Sequence, residues 1–76
     1  MLTIRCAKCR NKLFHYEKIG HGRVLRCYKD LISHDQSITE NNLLTCKCGN
    51  IIGIDKGLFF QMKANEFIYS GKKKNS

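Results

Sequence analysis

Ile4-Arg5-Cys6-Ala7-Lys8-Cys9-Arg10-Asn11-Lys12-Leu13-Phe14 and Cys46-Lys47-Cys48-Gly49-Asn50-Ile51-Ile52-Gly53 are the two stretches whose reading decides the fold. The first carries a CxxC, and the second a shortened CxC followed by glycine, with residues 10–45 between them. Together they supply four thiolates, the number that closes a tetrahedral shell around one ion. Each fits a tight turn at the tip of a hairpin, where backbone N–H groups point at the sulfurs. Gly49 supplies the positive φ that such a turn often requires. The spacing therefore predicts one structural Zn²⁺ held by Cys6, Cys9, Cys46 and Cys48, with iron as the lesser alternative.

Outward from these knuckles, short strand-like runs are divided by turn residues, and nothing reads as a helix. Leu2 to Arg5 leads into the first knuckle, while Asn42 to Thr45 and Asn50 to Ile54 flank the second. Leu13 to Lys18 and Arg23 to Tyr28 flank Ile19-Gly20-His21-Gly22, a turn sequence that predicts an antiparallel pair. Leu58 to Lys63 and Glu66 to Ser70 are expected to form a last hairpin around Ala64-Asn65. Leu58, Phe60 and Met62 alternate with Phe59, Gln61 and Lys63, the period-two pattern of a strand with one buried face. The polar run from Ser33 to Asn42 reads as a mobile loop. The expected fold is a small all-β domain over residues 1–70, a zinc-ribbon-type antiparallel sheet whose two knuckles share one metal site. A basic flexible tail follows at residues 71–76.

Length and composition agree with a stapled domain. A chain of 76 residues buries only about 60% of its unfolded surface and often needs a metal or disulfides. Five cysteines are an odd number for a closed disulfide framework, and Met1 to Arg10 holds no apolar run of signal-peptide or membrane-span length. Cytoplasmic localisation is the expectation, and close-spaced cysteines in a reducing compartment more often bind metal than each other.

The formal net charge of +8 is unevenly spread. Residues 1–29 carry eight Lys and Arg against Glu17 alone, residues 30–45 carry only Asp30, Asp35 and Glu40, and residues 46–76 carry six Lys against Asp55 and Glu66. Four thiolates around a divalent ion leave about +6, enough to attract phosphate backbones. Aromatic residues are interleaved with the cations, a mixture that stacks bases and neutralises phosphates. The candidate nucleic-acid-binding residues are Arg10, Lys12, Tyr16, Arg23, Arg26, Tyr28, Lys29, Phe59 and Lys63. Phe14, Phe60 and Phe67 are assigned to the core. The competing reading is an ordinary solvated surface.

Cys27 admits three readings. It is a small buried hydrophobe, a thiol activated by Arg26 and Lys29, or a ligand replacing one cysteine of the CxC. His15, His21 and His34 show no metal-type pairing with one another and read as surface or turn residues.

Two resemblances rest on these motifs. Ile4 to Phe14, followed by Leu25-Arg26-Cys27, resembles the N-terminal part of the Com family of phage zinc-finger translational activators, small basic proteins that bind messenger RNA. This implies an RNA-binding role. The family continues from its third cysteine as another CxxC, whereas Asp30 stands here at the fourth-ligand position and the Cys46/Cys48 element takes over. The second resemblance spans the chain. A CxxC followed by Leu-Phe, a long β-rich insertion and Cys-x-Cys-Gly-Asn-Ile-Ile-Gly is similar to the β-tent superfamily, which includes Yippee-type and methionine-R-sulfoxide reductase domains. Gly49 and Gly53 match its glycines. The reductases use a further cysteine downstream of the second knuckle, where Phe67-Ile68-Tyr69-Ser70-Gly71 offers only a serine.

No catalysis is therefore expected. Four cysteines close the metal shell, and no triad, phosphate-cradling loop or pair of catalytic carboxylates is evident. The expected function is a structural-zinc module that binds nucleic acid, RNA ahead of DNA. The alternative is a protein-interaction zinc ribbon within a larger complex, and the third reading is a thiol redox enzyme using Cys27. Neither a membrane nor a small-molecule substrate is expected as a partner.

Overall fold

A computed structural model describes residues 1–17 and 24–71. Its strands are β1 (Leu2–Cys6), β2 (Lys12–Tyr16), β3 (Arg26–Tyr28), β4 (Ile32–Ser33), β5 (Ile38–Glu40), β6 (Leu43–Thr45), β7 (Ile51–Asp55), β8 (Phe59–Met62) and β9 (Phe67–Gly71), with one 3₁₀ turn at Lys29–Leu31. They form two antiparallel sheets, one of four strands in the order β4-β2-β1-β9 and one of five in the order β3-β8-β7-β6-β5. The all-β class is as the sequence predicts.

Each knuckle joins the two strands that flank it in sequence. The first joins β1 to β2, with Ile4 opposite Phe14, and the second joins β6 to β7, with Leu44 opposite Gly53. Both hairpins carry an irregularity next to the knuckle, between Ile4 and Arg5 and between Leu44 and Thr45. Leu13 and Ile52 occupy the extra positions on the opposing strands. Adjacent residues are consequently both buried at Leu13 and Phe14, and again at Ile52 and Gly53. A bulge re-aims a side chain in this way and breaks strict alternation. Gly53 is required by proximity, since a Cβ there would lie 2.6 Å from the Gln61 carbonyl oxygen on β8.

Three expectations on pairing are corrected. β2 does not pair with β3; it lies between β1 and β4, while β3 lies against β8 with Cys27 opposite Phe60. β8 and β9 do not form a hairpin. The chain turns between them, with the Glu66 N–H donating to the Lys63 carbonyl at 3.0 Å, and passes from one sheet to the other, where β9 pairs with β1. Within the supposed loop from Ser33 to Asn42, Ile38–Glu40 forms β5 and pairs with β6. The alternation of β8 holds from Phe59 to Met62, with Phe60 and Met62 buried, whereas Leu58 precedes the strand and is 81% exposed. The expected Ile19–Gly22 turn and the residues of the tail from Lys72 onward lie outside the described residues.

One apolar cluster joins the two sheets. Leu2, Ile4, Phe14, Tyr16 and Phe67 enter it from the four-stranded sheet, and Cys27, Leu44, Ile52, Phe60 and Met62 from the five-stranded sheet. Phe14, Phe60 and Phe67 are core residues, as expected. Tyr16 also belongs to the core, which corrects its assignment as a stacking residue. Its hydroxyl donates to the Arg26 carbonyl at 3.2 Å and accepts the Tyr28 N–H at 3.0 Å, stitching β2 to β3 across the sheets.

Candidate metal centre

The two knuckles have nearly the same backbone plan. In the first, the Cys6 N–H donates to the Asn11 carbonyl at 3.1 Å and the Arg10 N–H to the Cys6 carbonyl at 2.9 Å. In the second, the Cys46 N–H donates to the Asn50 carbonyl and the Gly49 N–H to the Cys46 carbonyl, both at 2.9 Å. The second loop is one residue shorter, which is the structural meaning of CxC against CxxC. Both reverse through a left-handed residue after the second cysteine, Arg10 at φ 64° and Gly49 at φ 96°. Glycine adopts that region without steric cost.

These turns bring the four expected sulfurs together. All lie within 4.8 Å of one another, with Cys6 Sγ 3.7 Å from Cys48 Sγ and Cys9 Sγ 3.3 Å from Cys46 Sγ. A tetrahedral tetrathiolate with metal–sulfur bonds of about 2.3 Å has sulfur–sulfur edges of about 3.8 Å. The donor set therefore fits a single ion, and none of the cysteines is joined by a disulfide. Cys27 and Asp30 are not part of this cluster among the described residues. Cys27 is buried in the core beside Phe60, the small-hydrophobe position.

Within this fold the surroundings favour thiolate at one cysteine and oppose it at another. Burial acts to raise the Cys6 thiol, but N–H donors at Cys9 and Lys8, the Asn50 amide and the Cys48 thiol together lower it to about 6. The Lys8 N–H reaches Cys6 Sγ at 3.4 Å. Burial pushes Cys46 the other way, to about 12, assisted by its contacts with the other three sulfurs and opposed by the Cys48 N–H. A bound cation reverses this, because it stabilises every thiolate at once.

Asn50 is the member of the site that the sequence reading missed, placing it only at the start of a strand. It is 7% exposed, and its amide nitrogen donates to Cys6 Sγ at 3.5 Å and to the Glu66 carbonyl at 3.2 Å. A side chain from the second knuckle thus holds a ligand of the first, together with the entry to β9. Its sequence signal was its place directly after Cys-x-Cys-Gly, where a polar residue enters an otherwise apolar strand.

The candidate nucleic-acid residues are brought together only in part. Arg26 and Tyr28 of β3 stand opposite Gln61 and Phe59 of β8 on the solvent face of the five-stranded sheet. The Tyr28 and Phe59 rings are 5.4 Å apart, and the Arg26 guanidinium lies 5.5 Å from the Phe59 centroid. Lys63 is exposed one position past β8, on the parity of Phe59 and Gln61. It borders an open cleft of about 490 Å³ beside the metal centre, with Lys8, Cys48 and Glu66 also on its walls. Lys29 instead turns to Asp55, at 2.8 Å, and lies over the Phe60 ring. Arg10 is exposed at the first knuckle's reversal, Lys12 stands beside His15 on the other sheet, and Arg23 lies outside the described residues. No helix among the described residues is long and apolar enough to cross a membrane. Comparison of the chain with protein-family models, curated proteins and solved structures finds no significant match.

Proposed function

We propose that the four-cysteine centre holds one structural Zn²⁺ and that the domain binds single-stranded nucleic acid, RNA ahead of DNA, on the outer face of the five-stranded sheet. Zinc suits an all-thiolate tetrahedral shell, and a closed shell leaves no position for a reacting water. The metal's role is to hold the two knuckles, and thereby the two sheets, in place, and the domain is not an enzyme.

The observation that carries the binding reading is the patch formed by Arg26, Tyr28 and Phe59. Tyr28 is 42% exposed although it is an aromatic residue in a chain with a small core. Two adjacent rings with a guanidinium over one of them form a surface on which bases stack and a phosphate finds its counter-charge. Lys63 extends the positive potential toward the cleft at the metal centre. Its preference for RNA rests on the Com-like run from Ile4 to Cys27.

Fluorescence anisotropy with a labelled single-stranded RNA of arbitrary sequence tests this. Binding should fall steeply as salt rises. Phe59→Ala should weaken it by roughly tenfold or more, since base–aromatic stacking contributes about 1–3 kcal/mol per base. No binding at low salt contradicts the reading and favours the protein-interaction alternative, for which exposed Leu58 and Tyr69 are the anchors.

A further inference from the structure

Lys12, His15 and His34 meet on the four-stranded sheet, although the sequence separates them and gave the histidines no common role. The His15 and His34 ring centroids are 5.0 Å apart with their planes at 54°, and Lys12 Nζ lies 3.4 Å from His15 Nε2. His34 is held in a left-handed conformation at φ 53° just after β4. Across the strands, β1 places Thr3 opposite His15 and Arg5 opposite Lys12, β4 places Ser33 opposite His15, and β9 contributes Ser70 opposite Thr3 and Ile68 opposite Arg5. One ammonium, one guanidinium and two imidazoles therefore share this face with hydroxyl side chains.

The carboxylates nearest in sequence are Glu17, which follows β2, and Asp35, whose Oδ1 accepts the Ser37 N–H at 2.8 Å and also the Ser37 hydroxyl. Partial burial, then Lys12, then His34 hold the proton affinity of His15 below the ordinary histidine range. A metal cation is a poor guest here, because Lys12 brings positive charge to the ring nitrogen that would bind it. An anion relieves the same repulsion and draws a proton onto His15.

We propose that Lys12, His15 and His34 form a binding site for a phosphate group, with His15 taking up a proton as the anion binds. The site does not rest on the nucleic-acid reading above, since a simple oxyanion is enough to test it. Arg5 supports it through long-range charge, and Thr3 and Ser33 supply hydroxyl donors at its rim.

The imidazole resonances of His15 and His34 report the site directly by NMR. One arm titrates sulfate, a tetrahedral dianion whose charge is constant across the pH range used, and the other titrates hexauridylate RNA. The expected result is a saturable shift of both histidines, with roughly tenfold tighter binding near pH 5.5 than near pH 7.5. Lys12→Gln and His34→Gln should each weaken it several-fold, while Phe59→Ala leaves the sulfate response unchanged. RNA that displaces sulfate from the histidines identifies a phosphodiester as the source, and sulfate binding without displacement identifies a free phosphate. No saturable shift in either arm near pH 5.5, affinity that does not change with pH, or equal affinity in wild type and Lys12→Gln overturns the proposal.

Discussion

Asn50 shows how much a single side chain carries in a domain this small. It comes from the second knuckle, donates to a sulfur of the first and ties both to the strand that closes the four-stranded sheet. Hydrogen bonds to ligand atoms typically change metal affinity by about 10–100-fold. Asn50→Ala should weaken the metal by an amount in that range, read by competition with a calibrated chelator, with the β-sheet spectrum of the loaded protein retained. Cys46 supplies a second prediction. Burial raises its thiol to about 12 in the folded geometry, and an ordinary cysteine of the metal-free chain also keeps its proton at neutral pH. Ligation must displace that proton, so apparent affinity rises with pH through the neutral range. Titration calorimetry in buffers of different ionisation enthalpy should show proton release; proton-silent binding would exclude this account of the ligand.

At the scale of elements, residues near the knuckles were legible in sequence and distant pairings were not. Cys6, Cys9, Cys46, Cys48 and Gly49 announce two local turns, and each turn fixes the hairpin around it. Alternation likewise identifies β8 and its buried face at Phe60 and Met62. It cannot say which strand lies alongside, because any strand with the same parity buries its face equally well. The partners of β3 and β9 are therefore set by the whole core, with Cys27 opposite Phe60 and Cys6 opposite Phe67. Tyr16 is the clearest case. An aromatic residue near Lys12 and Lys18 reads as a stacking platform, yet its ring fills the core and its hydroxyl bridges β2 to β3. Tyr16→Phe leaves the part-buried Tyr28 N–H without this acceptor, at a cost of up to about 1–3 kcal/mol, the value for a fully buried group. Urea denaturation of the metal-loaded protein should show a loss of that size, and an unchanged midpoint would mean that the bridge contributes nothing.

For the whole molecule, the centre is the joint between two sheets. β1 brings Cys6 from the four-stranded sheet, and the hairpin of β6 and β7 brings Cys46 and Cys48 from the five-stranded sheet. The apolar core also spans both, but a domain of this size has a net stability of only about 5–10 kcal/mol. Structural zinc sites in small fingers have apparent binding free energies of about 10–16 kcal/mol. On these magnitudes an ion bound at the centre would decide whether the sheets stay together. Native mass spectrometry paired with ¹H–¹⁵N spectra, before and after chelation, tests this most directly. One zinc ion per chain, lost together with the dispersed spectrum and regained on adding zinc, is the predicted result; a dispersed, folded spectrum from metal-free protein would contradict it.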